Sequence, residues 1–118
     1  MTTPHVQRLD DTISLAHQLE PADMAWAAGA GFRSVINNRP DFEGGPEQPT
    51  SAEIAKAAEA AGLAYAFLPV SSAYQSPEEI ARFAHLLETL PKPVLAFCRS
   101  GARSGRMVRA AREAGAAG

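Results

Sequence analysis

Short apolar runs alternate with helical patterns along most of this chain. Four runs have the pattern of buried strands, namely Thr12 to His17, Phe32 to Ile36, Leu63 to Val70 and Pro93 to Phe97. Apolar residues at helical spacing predict a helix after each run, at 21–30, 51–61, 77 to about 90, and 104–113. This order predicts an α/β fold, a three-layer sandwich with a mainly parallel sheet and helices on both faces.

Polar signals mark where two of these helices begin. Ser51 is the predicted cap of the second helix, while Ser76 and Glu79 form a capping box with Pro77 at the first helical position. Ligands of such folds bind beyond the carboxyl ends of the strands. Three segments are expected to meet at that edge: 37–50, 71–76 and the loop that follows Phe97.

The loop after Phe97 carries the most specific chemistry, because it reads Cys98-Arg99-Ser100-Gly101-Ala102-Arg103 and is followed by Ser104. A sharp turn from a strand into a helix leaves backbone amides unpaired, and with the positive helix end they form an oxyanion site. Gly101 can adopt a conformation closed to other residues, and the Arg103 fork can bind two anion oxygens. We therefore expect the loop from Arg99 to Ala102 to bind an anion that faces Cys98.

The same surroundings predict an activated thiol. A helix N-terminus with nearby arginines lowers the pKa of a cysteine, so that thiolate is the resting form at neutral pH. Ser104 is placed to donate a hydrogen bond to the sulfur of Cys98. The alternative is a buried, inert thiol that caps an inner strand.

Length and composition predict one small domain over residues 1–118. The single cysteine excludes an internal disulfide, the first residues form no apolar signal core, and no run is long enough to cross a membrane. A cytoplasmic location is the expectation. The three histidines lack the spacing of metal ligands, so we expect neither a metal nor another cofactor.

Charge is unevenly distributed. The whole chain carries a net charge of −2, whereas residues 98–118 hold five arginines and one glutamate and are therefore at +4. This basic end favours small anions or phosphorylated groups as partners. The segment is short and lacks interleaved aromatic residues, so a nucleic acid is not expected. The pattern leaves the oligomeric state open.

Three segments also carry a family resemblance: Phe32 to Asp41, Ala61 to Val70, and Val94 to Ser104. Through them the chain, from Ile13 to about Arg112, resembles the bacterial phosphatase-like family named for beta-lactamase hydrolase-like proteins. The resemblance implies the fold of cysteine-dependent dual-specificity phosphatases. It also implies that Cys98 is the nucleophile, Arg103 the anion-binding arginine and Ser104 the hydroxyl that follows it. The implied reaction is attack of the thiolate on phosphorus, protonation of the leaving oxygen and hydrolysis of phosphocysteine.

The chain departs from the dual-specificity pattern in three places. Four residues instead of five separate Cys98 from Arg103, Phe97 replaces the histidine before the cysteine, and the segment 69–74 lacks the usual acid. Asp41 is the best substitute for that acid, with Glu43 second, although Asp41 is equally a turn residue after a proline.

Two polar residues beside the loop add to the predicted site. Asn38 and Arg39 follow the strand that ends next to the Cys98 loop, and both are candidates for holding the loop or touching substrate.

The shorter loop is also similar to the active loop of rhodanese-type sulfurtransferases, in which the cysteine carries a persulfide. A tighter ring of amides leaves less room for a phosphoester than for a terminal sulfur, and sulfur transfer needs no general acid of the phosphatase kind. The wider resemblance favours a phosphatase-like hydrolase, with sulfur transfer as the close alternative. A third hypothesis is a non-catalytic module that binds oxyanions or senses oxidants through Cys98.

Overall fold

A computed structural model describes residues 3–117 of the chain. The strands within these residues are β1 (Val6–Arg8), β2 (Ile13–Ala16), β3 (Ser34–Asn37), β4 (Ala64–Phe67) and β5 (Val94–Phe97). The helices are α1 (Asp23–Gly29), α2 (Ser51–Ala60), α3 (Pro77–Thr89) and α4 (Ala102–Ala117). Each predicted strand and helix is present, and the structure adds β1.

The strands form one sheet in the order β1-β2-β5-β3-β4. All neighbours are parallel except β1, which pairs antiparallel with β2. The expected mainly parallel α/β sheet is therefore confirmed. The sequence did not reveal β1, because it is three residues long and two of them are exposed polar side chains. So short an edge strand has no hydrophobic alternation that could predict it.

Alternate residues of the central strand β5 enter two separate hydrophobic cores. Val94 and Ala96 belong to the core that also contains Phe83 of α3 and Met107 of α4. Leu95 and Phe97 belong to the other core, which α1 and α2 complete on the opposite face. Because successive side chains of a strand point to opposite faces, this division places helices on both sides of the sheet. The three-layer arrangement predicted from the sequence is confirmed.

Some predicted boundaries need correction. The cap of α2 is Thr50 instead of Ser51, because the Thr50 hydroxyl accepts from the Glu53 amide at 3.2 Å and the Glu53 carboxylate accepts from the Thr50 amide at 3.1 Å. Helix α4 begins at Ala102, two residues before the predicted start at Ser104. Along residues 3–117, no helix is long and apolar enough to cross a membrane.

Candidate functional site

Four parallel strands end at the same level, and this arrangement positions the site. Ala16, Asn37 and Phe67 stand in register with Phe97, directly or through the intervening strand. Beyond this level the Asn38 amide donates to the Phe97 carbonyl at 2.9 Å. The segments that leave the strands are therefore held together at the carboxyl edge, where the sequence predicted the site.

The Cys98 loop turns sharply between β5 and α4. Gly101 makes the turn with a φ of +95°, a left-handed conformation that costs other residues free energy. A Cβ atom at Gly101 would also lie 3.4 Å from the carbonyl oxygen of Ala16. The Gln18 amide donates to the Arg99 carbonyl at 3.1 Å and fixes the outer side of the loop. Gly101 is therefore favoured by its conformation, while β2 leaves room for a Cβ atom only at van der Waals distance.

Hydrogen-bond donors surround the sulfur of Cys98. The Gly101 amide donates to Sγ at 3.1 Å. Burial raises the pKa of the Cys98 thiol, but the amide and hydroxyl of Ser104, followed by the amides of Gly101 and Arg103, stabilise the thiolate more and lower the pKa below its ordinary value. The buried thiol is thus surrounded by hydrogen-bond donors, which favour its charged form.

Ser104 connects this sulfur to the end of β3. Its hydroxyl donates to the Asn38 Oδ1 at 2.8 Å, and the Asn38 amide nitrogen donates to the Leu68 carbonyl at 3.0 Å. The second bond fixes the orientation of the Asn38 amide, so that its oxygen faces Ser104. Both side chains are fully buried. Asn38 therefore holds the loop through Ser104, one of the two roles expected for it.

The guanidinium of Arg103 is buried beside the loop. Its Nη1 donates to the Val70 carbonyl at 3.1 Å, and its Nη2 donates to the Glu43 carboxylate at 3.0 Å. Its Nε is buried and has no hydrogen-bond partner among the described residues. Buried donors of this kind are rare, because an unpaired polar group costs free energy. The Nε of Arg103 is thus a donor that the described residues leave unsatisfied.

Arg39 lies next to Arg103 and shares its carboxylate. The Arg39 Nε donates to Glu43 Oε1 at 2.9 Å, and its Nη1 donates to Gln18 Oε1 at 3.0 Å. The Arg39 amide donates to the Asn37 side-chain oxygen at 2.9 Å, which fixes the backbone after β3. Two buried arginines therefore converge on one acceptor, Glu43.

These residues line an open cavity of about 750 Å³. Most of its lining side chains are polar or charged, and the lining residues are Arg39, Glu43, Gly44, Ser72, Cys98, Arg99, Ser100, Ala102, Arg103 and Arg106. Glu43 supplies the one carboxylate among the described lining residues. Burial raises the pKa of Glu43, but hydrogen bonds from Arg103 and then Arg39 outweigh it and lower the pKa below the ordinary value. The carboxylate in the cavity is therefore ionised at neutral pH.

Asp41 lies outside this set of lining residues. Its Oδ1 accepts from the amide of Ser51, the first residue of α2, at 2.7 Å. An acidic side chain at a helix N-terminus is a stabilising arrangement. The structure thus places the preferred acid candidate at the start of a helix and the second candidate, Glu43, in the cavity.

The structure brings together every other candidate site residue of the sequence, from Cys98 to Ser104 with Asn38 and Arg39. It adds Gln18, Ser72 and Arg106, of which Arg106 donates to the Ser72 carbonyl at 3.1 Å. Gln18 could have been found, because it follows a predicted strand at the carboxyl edge. The role of Glu43 as partner of Arg103 has no sequence signal, since 60 residues separate them.

The arrangement combines a thiolate stabilised by donors, the backbone amides of the Cys98 loop and two buried guanidinium groups. Together these groups suit the binding of a small oxyanion next to a nucleophilic sulfur. Across residues 3–117, no three His, Cys, Asp or Glu side chains are grouped to hold a metal ion.

Comparison with known proteins identifies relatives of the chain. The family model for the phosphatase-like domain of beta-lactamase hydrolase-like proteins matches residues 5–116. The beta-lactamase hydrolase-like protein of Agrobacterium fabrum is 36% identical over 97 residues, which are 82% of this chain and 22% of that protein. Its counterpart in Xylella fastidiosa is 34% identical over 96 residues, or 81% of this chain and 22% of that protein. The chain thus spans about a fifth of the length of these relatives.

Solved structures show the same fold. A candidate phosphatase from Neisseria meningitidis is 32% identical with a TM-score of 0.79, and the match covers 86% of this chain and 72% of that one. TpbA of P. aeruginosa, solved in complex with pTyr, is 15% identical with a TM-score of 0.65, covering 86% of this chain and 58% of that one. At that identity the second likeness concerns the fold alone, which is that of cysteine phosphatases.

Proposed function

The chain belongs to the family of phosphatase-like domains of beta-lactamase hydrolase-like proteins, and on that premise we propose that it is an enzyme whose Cys98 thiolate accepts a group from a small anionic donor. Among such reactions the geometry favours sulfur transfer from a thiosulfate-type donor. Cys98 is the nucleophile, the amides of the loop and Arg103 bind the anion, and Ser104 stabilises the sulfur.

The first step needs no proton. The Cys98 thiolate attacks the outer sulfur of thiosulfate, a new S–S bond forms on Cys98, and the original S–S bond breaks with its electron pair leaving on sulfite. Cys98 then carries a persulfide with one negative charge, which the same donors stabilise. An acceptor such as cyanide takes the outer sulfur as thiocyanate and restores the thiolate. Charge and atoms balance in both steps.

The observation that carries this choice is the state of the carboxylate in the cavity. A phosphatase needs a carboxylic acid to protonate a poor leaving oxygen. Glu43 lines the cavity, but its bonds to Arg39 and Arg103 keep it ionised, and Asp41 binds the first amide of α2. A thiolate beside buried arginines, with no protonated acid among the described lining residues, supports a reaction whose first step needs no proton. The four-residue spacing between Cys98 and Arg103 supports the same reaction.

Phosphoester hydrolysis is the second candidate, and the family assignment and the Neisseria meningitidis relative favour it. In this reaction the Cys98 thiolate attacks phosphorus, the ester oxygen leaves, and water hydrolyses the phosphocysteine. Without a general acid it is expected only for esters with good leaving groups, such as aryl phosphates.

One pair of assays separates the candidates. The protein should transfer sulfur from thiosulfate to cyanide, and its mass should rise by one sulfur on Cys98 when cyanide is left out. Cys98→Ser should abolish both, whereas Glu47→Gln, which changes an exposed carboxylate of the neighbouring loop, should not. Phosphate release from an aryl phosphate that depends on Cys98, with no thiocyanate formed, would establish hydrolysis instead.

A matched variant tests the size of the loop. Insertion of a glycine after Ala102 restores the five-residue spacing, so it should abolish sulfur transfer by enlarging the ring of amides. Full retention of sulfur transfer in a folded insertion variant would show that the size of the loop does not determine the reaction.

A further inference from the structure

We propose that Arg39 and Arg103 form an oxyanion subsite, which the carboxylate of Glu43 fills in the free protein and the oxyanion group of the substrate fills in the complex. The inference rests on the proposed function, because it assigns where the non-reacting oxygens of the donor bind. In this proposal the carboxylate of Glu43 competes with the substrate for binding to the two arginines.

The position of a single oxygen atom defines the subsite. Glu43 Oε1 accepts from Arg39 Nε at 2.9 Å and from Arg103 Nη2 at 3.0 Å. The side chains of the two arginines are 10% and 6% exposed, respectively. Two buried guanidinium groups are thus fixed around one acceptor position, as a sulfonate or phosphate oxygen requires.

A second observation indicates that Glu43 is not the complete ligand of Arg103. The Nε of Arg103 is buried without a partner among the described residues. One carboxylate oxygen uses only the Nη2 donor, so the adjacent Nε donor is left over. An anion with several oxygens would use both donors, because Arg binds such groups through two parallel N–H bonds. The ligand that satisfies Arg103 therefore places two oxygens at this guanidinium, whereas Glu43 places only Oε1 there.

The carboxylate of Glu43 is placed so that it can move away from the two arginines into solvent. Its side chain is 27% exposed, unlike those of the arginines that it joins. It follows Phe42, an exposed residue with a φ of +64°, a strained conformation for a residue with a side chain. The next residue, Gly44, packs over Arg39 so closely that a Cβ atom there would lie 2.6 Å from its Nη2. The loop thus stays anchored on Arg39 while the carboxylate beside it reaches solvent.

The subsite also defines the class of ligand. The group must carry at least two oxygens for Arg39 and Arg103 and must place its reactive atom at Cys98, which lines the same cavity. The sulfonate end of a thiosulfate meets these conditions, and so does a phosphate. Inorganic sulfate carries the same oxygens without a transferable sulfur, so it probes the subsite without turnover.

Protection of Cys98 from iodoacetamide by inorganic sulfate measures this binding. Removal of the competing charge by Glu43→Gln should tighten sulfate binding by about tenfold, the effect of one charge-assisted hydrogen bond. The control Glu47→Gln removes an exposed charge from the same loop and should leave sulfate binding unchanged. Equal or weaker binding of sulfate to Glu43→Gln would overturn the proposal, since Glu43 would then organise the arginines instead of competing for them.

A second variant separates competition from simple charge removal. Arg39→Lys keeps the positive charge but removes Nε, so in the Glu43→Gln background it should weaken sulfate binding severalfold. If sulfate binds the double variant as tightly as Glu43→Gln, Arg39 is not part of the subsite and the proposal fails. None of these measurements involves sulfur transfer. Absence of thiocyanate formation with intact sulfate binding would refute the proposed function and retain the subsite.

Discussion

Replacement of Ser104 by alanine tests how the thiolate is stabilised. The sulfur of Cys98 is surrounded by the Gly101 amide at 3.1 Å, by the amides of Arg103 and Ser104, and by the Ser104 hydroxyl. Ser104→Ala removes the hydroxyl and leaves the three amides. Because all four donors favour the charged form, the pKa of Cys98 should rise in the variant while staying below that of a free thiol.

The size of the rise follows from the contacts of the hydroxyl. A hydrogen bond to a charged group contributes about 1.5–3 kcal/mol, which corresponds to roughly one to two pKa units. The Ser104 hydroxyl has one proton, which it donates to Asn38 Oδ1 at 2.8 Å and would have to share with the sulfur of Cys98, so the sulfur does not receive its full benefit. We therefore expect an increase near the lower end, about one pKa unit.

The rate of alkylation of Cys98 by iodoacetamide as a function of pH measures this pKa. Ser100→Ala is the matched control, because it removes a hydroxyl from the same loop whose contact is with the Ala102 amide. Its alkylation midpoint should equal that of the wild-type protein. An unchanged midpoint in Ser104→Ala would refute the role of the hydroxyl. A wild-type midpoint at or above about 8.5 would refute the activated thiolate itself.

Two further predictions concern stability. The folded protein lowers the pKa of Cys98, so the thiolate adds stability above the pKa of the unfolded thiol and this gain is lost as the pH falls through the folded pKa. In urea unfolding, the excess stability of wild type over Cys98→Ser should therefore be larger at about pH 9 than at about pH 6, and a constant difference would contradict this. Asp41→Ala should lower the free energy of unfolding by about 1 kcal/mol through loss of its bond to the first amide of α2, with turnover per folded molecule unchanged. Loss of phosphate release from a phosphoester with a poor leaving group, without loss of stability, would return Asp41 to the role of proton donor.

The fold was predictable where the signals are local. Four strands and four helices follow from apolar runs, helical spacing and the capping box of Ser76 and Glu79, which the structure reproduces. The cap of α2 shows the limit of such signals, since Thr50 and Ser51 are both capping residues. The deciding signal is Glu53, which lies three residues after Thr50 and completes the reciprocal box.

The predictable part of the site consists of one loop and the residues at the ends of the strands. The Cys98 loop and the residues that follow β3 could be assigned because parallel strands end at a common edge. The engagement of Arg103 with Glu43 could not, because it depends on how a loop with several glycines and prolines folds back over the sheet. The choice between Asp41 and Glu43 as the residue in the cavity needed the same information, since the two lie only two positions apart in that loop.

The position of β5 in the sheet has a consequence for the time at which the site forms. The last of the five described strands lies between β2 and β3, so those earlier strands have no common neighbour until β5 leaves the ribosome. Contacts between segments so far apart in sequence form late, because the long intervening chain must first be ordered. Cys98 follows β5 directly, and its stabilising donors come from α4, which is made later still. In a growing chain that still lacks α4, Cys98 therefore has no helix donors around it, and the surroundings that stabilise its thiolate arise only after α4 has been made.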